Sequence, residues 1–377
     1  MTGRRDASQL RERGPMTNID EVITAVSMAR SMSVARQDVD DVLNETFAAV
    51  RDADSDPDWV HDVSLVRRLT MNSGKRTRPF MCHLGWSIHG GRDLPGIARV
   101  AAALELFHAF ALIQDDVMDR SDVRRGMPAL HVRLADRHRR RGWRGDAGRS
   151  ADSAAIIWGD LCLVWADEIF HSCGLPADDV QRALPYYHRM RSEVLRGQYL
   201  DLRGGVNAPD LDGCFKILLL KSAKYTVERP LQIGAALAGA SAADMEVLSR
   251  YGIAVGEAFQ LRDDVLGVFG DDAVTGKSAL TDLRDGKATV LMALVRQSAS
   301  AAQAQVIEDL HGKPDLDDAG AERLREIIMD AGGLRRVEEM IDRRTEQAVA
   351  ALQGMSAADG CREVLGQMAC ELSRRTH

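Results

Sequence analysis

Three aspartates stand close together at the end of an apolar stretch, in the sequence DDVMD (115–119). Positions i and i+4 of a helix share one face, so Asp115 and Asp119 would project side by side, one turn apart. Two like charges at that spacing repel each other unless a cation lies between them. Their oxygen ligands suit Mg²⁺, which also binds phosphate oxygens. The alternative is a solvated acidic helix end, because aspartate clusters are common on protein surfaces.

A second acidic pair, Asp263 and Asp264, follows another apolar stretch (251–259). Two acidic helix ends could face each other across a bundle and share metal ions. The second cluster is the weaker one, because position 267, one turn after Asp263, is glycine and supplies no third ligand.

Basic residues form a third group whose charge would suit a polyphosphate ligand. The sequence GKRTRP (74–79) carries three cations just before a predicted helix, and Arg124 and Arg125 follow the first aspartates. Four lysines lie further along, at Lys221, Lys224, Lys277 and Lys287. Each is ordinary surface charge when taken alone. Two acidic helix ends and these cations together favour a polyphosphate bridged by metal ions to the aspartates and held from its other side by Lys and Arg.

The elements that must position these residues are helices. Apolar residues recur with helical spacing nearly throughout from Val39 onward, and alternating strand patterns are missing from the sequence. We expect a flexible N-terminal tail over 1–35, a single helical domain over 36–377, and a solvated Arg-rich loop over 137–153. The predicted helices are 36–52, 60–71, 75–89, 95–119, 128–138, 152–172, 177–200, 211–239, 242–268, 287–299, 302–311, 318–331, 334–353 and 357–375.

Composition limits the class of protein. The chain has 377 residues, 45% of them hydrophobic and 28% charged, which is typical of a globular protein. Its formal net charge of −7 argues against a nucleic-acid partner, since general polyanion binders are normally basic. Uninterrupted apolar runs fall short of the roughly 18 to 20 residues that span a bilayer, so we expect no transmembrane segment. The six cysteines form no CxxC pair, which predicts reduced thiols and a cytoplasmic protein.

The motifs together resemble those of the trans-isoprenyl diphosphate synthases of the polyprenyl synthetase family. The resemblance runs from about Val39 to the C-terminus. It rests on GKRTRP (74–79), ELFHAFALIQDDVMDRSDVRRG (105–126), GD (159–160), GQYLDL (197–202), KSAKYTVERP (221–230), FQLRDDVLGVFGD (259–271) and GK (276–277). It implies an all-α, isoprenoid-synthase-type bundle around a deep central cavity, and a homodimer. The implied reaction is Mg²⁺-dependent, head-to-tail condensation of an allylic diphosphate with isopentenyl diphosphate.

The resemblance also implies residue roles. Asp115 and Asp119 match the metal ligands of the first motif, with Asp116 beside them, and Asp263 matches the main ligand of the second, with Asp264 beside it. The implied catalytic residues are Asp115, Asp116, Asp119, Asp263 and Lys221, and the implied metal ligands are Asp115, Asp119, Asp263 and Asp264. The family's residues that bind the allylic diphosphate correspond to Arg124, Lys221, Ser222, Gln260, Lys277 and Lys287. Those that bind isopentenyl diphosphate correspond to Lys75, Arg78, His108 and Arg125. Because Gly267 replaces the last aspartate of the usual second motif, we expect weaker metal binding at worst.

The implied chemistry needs no protein nucleophile. An allylic C–O bond ionises, and preorganised metals and cations stabilise the negative charge that develops on the leaving diphosphate. The double bond of isopentenyl diphosphate attacks the carbocation, so the two substrates must lie close together in an apolar, water-excluding cavity. The released diphosphate is a reasonable base for the final proton.

Product length should depend on side chains beneath the first aspartates. Each helical turn is about 5.4 Å, close to one extended isoprene unit. Ala111, one turn before Asp115, is small enough to let the growing chain pass, and Phe107 and Phe110 are candidates for the cavity floor. The alternative is that both phenylalanines are simply core. We favour geranylgeranyl diphosphate (C20) over farnesyl diphosphate (C15).

Three other functions stay open. A class I terpene cyclase shares the metal–diphosphate chemistry, but the positions of its second metal triad are here Asp263, Gly267 and Asp271, two of which do not fit. A non-catalytic partner subunit would be expected to lose the acidic and basic motifs, which are largely intact. A helical scaffold for nucleic acid or protein has support only from the Arg-rich stretch 137–149.

Overall fold

The structure, a computed structural model, describes residues 19–72, 74–205, 209–270, 280–356 and 359–374. These residues form a helical bundle, which confirms the prediction of an all-α fold. The α-helices are α1 (Ile19–Asp52), α2 (Pro57–Met71), α3 (Thr77–Ile88), α4 (Leu94–Met118), α5 (Leu130–Arg141), α6 (Ala147–His171), α7 (Ala177–Gly204), α8 (Leu211–Ile217), α9 (Arg229–Leu237), α10 (Ala242–Phe269), α11 (Thr281–Arg284), α12 (Val290–Ser298), α13 (Ala301–Leu310), α14 (Asp318–Asp330), α15 (Gly333–Ala351) and α16 (Asp359–Arg374).

Two segments that are predicted to be irregular contain helix: residues 19–35 of the tail and most of the loop over 137–153, whereas residues 1–18 of the predicted tail lie outside the described residues. Helix α1 begins at Ile19 and not at residue 36, because apolar residues at 19, 22, 23 and 26 continue the helical spacing. The predicted loop over 137–153 shrinks to a short turn. Helix α5 continues to Arg141, and α6 begins after Asp146, whose side chain accepts a hydrogen bond from the backbone N–H of Arg149 at 2.7 Å. The division into a tail and one domain otherwise stays a prediction.

Helix α4 lies in the centre of the bundle. Its buried residues face α3 and α6, and most of its length from Ile97 to Phe110 is shielded from solvent. By length and composition it is the one helix in the described part of the chain that could cross a membrane, with a mean hydropathy of 1.6. However, 83% of that window is buried inside the protein, as in the core helix of a globular protein.

The predicted helix over 211–239 contains a π-helix, Leu218–Glu228, between α8 and α9. Its wider turns are found frequently at functional sites. Helix α10 packs closely against it through two glycines. A Cβ atom on Gly252 would lie 2.6 Å from Cα of Glu228, and one on Gly256 would lie 2.5 Å from Cα of Ala223. Larger residues at these positions would force the two helices apart.

A short antiparallel hairpin follows α4 and was not predicted. Its strands are β1 (Val123–Arg124) and β2 (Met127–Pro128), with Arg124 paired to Met127. The two turn residues, Arg125 and Gly126, have φ values of 50° and 73°, as a two-residue type I′ turn requires. This turn directs the side chains of two neighbouring arginines back toward α4.

Candidate active site

The first acidic cluster lies at the C-terminal end of α4. Asp115 and Asp116 occupy its last turn and Asp119 is its C-cap. The helix dipole places partial negative charge at this end, which adds to the repulsion among the three carboxylates. The arrangement therefore attracts a cation.

The two acidic clusters meet across a cavity of about 200 Å³. Helix α4 supplies one wall, and α7, α8, the π-helix, α10 and the segment that leads into α12 supply the others. Seven of the predicted site residues line it: Asp115, Asp119, Lys221, Ser222, Gln260, Asp264 and Lys287. Asp263, the predicted principal ligand of the second motif, lies on the exposed side of α10 and is not among the lining residues. Lys277 lies outside the described residues.

Lys221 joins α4 to α7. Its ammonium donates to Asp115 at 3.1 Å and to Asp201 at 2.6 Å, and these two carboxylates raise its pKa against the opposing effect of burial. Asp201 is a cavity residue that was not predicted, although it belongs to the motif GQYLDL (197–202). Gly197 of the same motif permits the close packing, because a Cβ there would lie 2.6 Å from the backbone nitrogen of Lys221.

Arg124 is the counter-ion of the first cluster. Its Nε donates to Asp116 at 2.7 Å and its Nη2 donates to Asp115 at 3.0 Å. Burial raises the pKa of the Asp116 carboxyl, and the charge of Arg124 offsets part of that rise. Burial acts the same way on Asp115, but the charges of Lys221 and Arg124 outweigh it and lower that pKa. The second oxygen of Asp116, Oδ2, is buried without a hydrogen-bond partner among the described residues.

Two carboxyls at the cavity hold their protons more tightly than usual. Burial, with repulsion from Asp115 and Asp201, raises the pKa of Asp119 to about 6 although Lys221 opposes it. Burial also raises the pKa of Asp264 to about 8, although its hydrogen bond from Gln260 at 2.8 Å lowers it. Both shifts indicate negative charge that the protein does not fully neutralise.

A basic cluster surrounds His108 of α4, about two turns before Asp115. The guanidinium of Arg78 stacks on the ring of Tyr225 at 4.0 Å, and Arg125 lies 3.4 Å from Nε2 of His108. Tyr225 also contacts Nδ1 of His108 at 3.2 Å. Burial and the charges of Arg78 and Arg125 hold the pKa of His108 well below its ordinary value, so the imidazole is neutral. Nε of Arg78 and Nη1 of Arg125 are buried with no hydrogen-bond partner in the described part of the chain.

The three cations of GKRTRP (74–79) have different surroundings. Arg76 is buried and pairs with Asp40 and Glu105, each at 2.7 Å, so it stabilises the packing of α1, α3 and α4. Arg78 belongs to the basic cluster just described. Lys75 lines a separate cavity of about 220 Å³ next to α1.

The predicted chain-length residues lie on α4, on the N-terminal side of the aspartates. Phe107 and Phe110 are buried, with ring centroids 5.3 Å apart, and Phe107 also meets the ring of Tyr225 at 5.8 Å. Ala111 is only half-buried. The phenylalanines thus form an aromatic group below the acidic end of the helix.

The donors around the cavity fit a hard cation such as Mg²⁺. They are the carboxylate oxygens of four aspartates that line the cavity, Asp115, Asp119, Asp201 and Asp264. Within the described ranges, no three Asp, Glu, His or Cys side chains converge as they stand on a point that could hold a metal ion. Between Asp115 and Asp201 that space is filled by the ammonium of Lys221.

The chain is similar to known proteins in sequence and in fold. The family model for polyprenyl synthetase matches residues 62–328. A geranylgeranyl pyrophosphate synthase from Corynebacterium glutamicum, solved in complex with isoprenyl diphosphate and magnesium, superimposes with a TM-score of 0.86. It is 35% identical to the chain, and the match covers 92% of this chain and 99% of that one.

Two curated relatives differ in the product they are named for. Geranylfarnesyl diphosphate synthase from Aeropyrum pernix is 33% identical over 80% of this chain and 90% of its own length. The (2E,6E)-farnesyl diphosphate synthase from Mycobacterium tuberculosis is 31% identical over 75% of this chain and 74% of its own. Relatives at similar identity therefore make products of different length.

Proposed function

Because the chain belongs to the polyprenyl synthetase family and is a prenyltransferase, we propose that it makes geranylgeranyl diphosphate (C20). Its reaction class is short-chain trans-prenyl diphosphate synthesis. The proposed substrates are isopentenyl diphosphate and an allylic diphosphate, and the proposed cofactor is Mg²⁺. One observation carries the proposal: an acidic cavity and a separate basic cluster both lie along the C-terminal half of α4.

The acidic cavity is the proposed site of the allylic diphosphate. Asp115, Asp119, Asp263 and Asp264 would hold Mg²⁺, which neutralises charge on the leaving diphosphate. Residues of the chain do the rest of the positioning. Lys221, Ser222, Gln260 and Lys287 line the cavity and can donate hydrogen bonds to diphosphate oxygens. Arg124 keeps Asp115 and Asp116 oriented, and Lys277 is proposed to add a further cation.

The basic cluster is the proposed site of isopentenyl diphosphate. Arg78 and Arg125 each present a buried N–H group without a partner among the described residues, and a diphosphate would satisfy both. Neutral His108 orients Arg125 through the contact at Nε2. Lys75 is proposed to reach the same diphosphate from the loop before α3. A second diphosphate site favours a synthase over a terpene cyclase, which binds a single diphosphate.

The aromatic group on α4 is the proposed floor of the product cavity. Ala111 leaves room directly beneath the aspartates, and Phe110 and Phe107 block the path further down. A floor at this depth suits a C20 product. A C15 product is the second candidate.

We also propose that the protein is a cytoplasmic homodimer. Helix α6 exposes Ile157 and Val164, which are 60% and 58% accessible and lie two turns apart on one face. A second copy covering this stripe would remove apolar surface from water. Light scattering of the purified protein, compared with Ile157→Glu, tests this: a dimer that the substitution dissociates supports it, and a monomeric wild type contradicts it.

Product analysis tests the main proposal. The purified protein is incubated with Mg²⁺, isopentenyl diphosphate and, in turn, the C5, C10 and C15 allylic diphosphates, and the products are sized by mass spectrometry. We expect C20 diphosphate from each. Accumulation of C15 would establish the second candidate. Hydrocarbon released without consumption of isopentenyl diphosphate would indicate a cyclase, and no turnover would indicate a non-catalytic subunit.

A further inference from the structure

The space that a side chain at position 267 of α10 would take is filled by a residue from another helix. A Cβ atom built on Gly267 would lie 2.1 Å from Oδ2 of Asp282, far inside van der Waals contact. Asp282 belongs to α11, which follows α10 in the chain. A side chain at 267 and the carboxylate of Asp282 in this position therefore exclude each other.

The carboxylate of Asp282 also faces the charged groups of the cavity. Its Oδ1 accepts a hydrogen bond from the ammonium of Lys287, which lines that cavity. The carboxylate of Asp282 therefore lies between position 267 of α10 and the ammonium of Lys287.

Residues 263 and 267 share one face of α10, so a carboxylate at 267 would stand one turn beyond Asp263. Here, glycine leaves that space open and Asp282 enters it. We propose that Asp282 supplies the third carboxylate of the second acidic cluster and helps to hold Mg²⁺ there, in place of a side chain at 267. This inference rests on the proposed Mg²⁺-dependent function.

A purely structural role for Asp282 makes a different prediction. If Asp282 only holds Lys287, removing either partner of that ion pair should affect metal binding alike. If Asp282 contributes to the metal site, the two removals should have opposite effects. Loss of the carboxylate weakens attraction for the metal, whereas loss of the ammonium removes a competing cation.

Metal binding can be measured without turnover. Mn²⁺ is titrated into the metal-free full-length protein with inorganic diphosphate present, and free Mn²⁺ is followed by electron paramagnetic resonance. We expect Asp282→Ala to weaken Mn²⁺ binding about tenfold, while Lys287→Met leaves it unchanged or stronger. The double variant Gly267→Asp/Asp282→Ala should regain most of the affinity, because removal of Asp282 opens the space that the new side chain needs.

Two results would overturn the inference: wild-type Mn²⁺ affinity in Asp282→Ala, or no recovery in the double variant. Circular dichroism melting of each variant verifies that it is folded, and Asp282→Asn, which keeps the shape of the side chain, must weaken binding as well. A wild-type protein that binds no Mn²⁺ with diphosphate would contradict the proposed metal dependence itself. If the wild type binds Mn²⁺ and the Asp282 variants bind it equally well, only the role of Asp282 is contradicted.

Discussion

The ammonium of Lys221 lies 3.1 Å from a carboxylate oxygen of Asp115, so a cation of the π-helix neutralises the acidic end of α4. The same ammonium contacts Asp201 of α7. Lys221 therefore occupies part of the space between carboxylates that are proposed to attract metal. Binding of metal and diphosphate would give this lysine phosphate oxygens as new partners.

Replacing Lys221 should impair catalysis more than folding. We expect Lys221→Met to lower kcat/KM about 100-fold, because the leaving diphosphate loses a preorganised cation. Lys224, one turn on, pairs with Glu193 at 3.0 Å and does not line the cavity. Lys224→Met is therefore the matched control and should lower the melting temperature but change kcat little. Equal effects of both substitutions on kcat/KM would contradict the role given to Lys221.

The stability of the metal-free protein should fall as pH rises. The carboxyls of Asp119 and Asp264 have raised pKa values of about 6 and about 8. The folded protein holds each of these two protons more tightly than the unfolded chain does. Each carboxyl therefore stabilises the folded state at low pH, and this stabilisation is lost as pH rises through the two pKa values. Melting temperatures measured without metal from about pH 5 to about pH 9 should show this decline.

Metal affinity should change with pH in the opposite direction. Carboxyls must lose their protons to bind Mg²⁺, so affinity should rise through the same range and binding should release protons. Calorimetry in buffers of different ionisation enthalpy measures that release. Asp119→Asn should abolish the component near pH 6 and keep the one near pH 8. A proton count of zero at about pH 7 in the wild type would refute this coupling.

Removing the aromatic floor should lengthen the product. Phe110→Ala is expected to shift the product beyond C20, because the growing chain can then pass the level of that ring. Truncating a buried phenylalanine costs about 3–5 kcal/mol of stability, so the milder Phe110→Leu should be assayed beside it. Phe47→Leu is the matched control, because it alters another buried ring of the same core, which packs against Trp165. An unchanged product size in both Phe110 variants would show that Phe110 is only core.

A substitution in the basic cluster should raise the KM of one substrate and leave the KM of the other unchanged. We expect Arg78→Lys to raise KM for isopentenyl diphosphate about tenfold and to leave KM for the allylic diphosphate unchanged. Lysine keeps the charge but loses the stacking on Tyr225 and the Nε donor. Arg68→Lys, at an exposed position of α2, is the control. Equal increases in both KM values would assign Arg78 to a general structural role.

The sequence predicts the chemistry of the site better than its tertiary partners. Helix α4 is predicted over 95–119 and observed as Leu94–Met118, because a long apolar stretch ending in aspartates leaves little choice. Asp201 and Tyr225 were not predicted as site residues, since their contacts with Lys221 and His108 form only when distant helices pack. The π-helix hardly alters the apolar spacing, so the stretch containing it reads as ordinary helix.

The pattern of charges in the sequence also does not reveal which side of an element a residue faces. Lys75, Arg76 and Arg78 are three similar cations in sequence, yet Arg76 is buried and forms ion pairs with Asp40 and Glu105 in the protein core. The positive φ of Arg76, 51°, turns the chain just before α3 and accompanies this inward orientation. Spacing alone cannot distinguish such a structural cation from a ligand-binding one.

The π-helix gives the two proposed diphosphate sites a common support. Lys221 faces the acidic cavity, and Tyr225, about one wide turn further on, stacks under Arg78 and meets His108. With the proposed roles, the separation between the two reacting ends is fixed by this single turn of backbone. The length of the product is proposed to be limited by other side chains, on α4. Substitutions near Phe110 and Ala111 can therefore change the length of the product while the spacing of the reacting carbons is preserved.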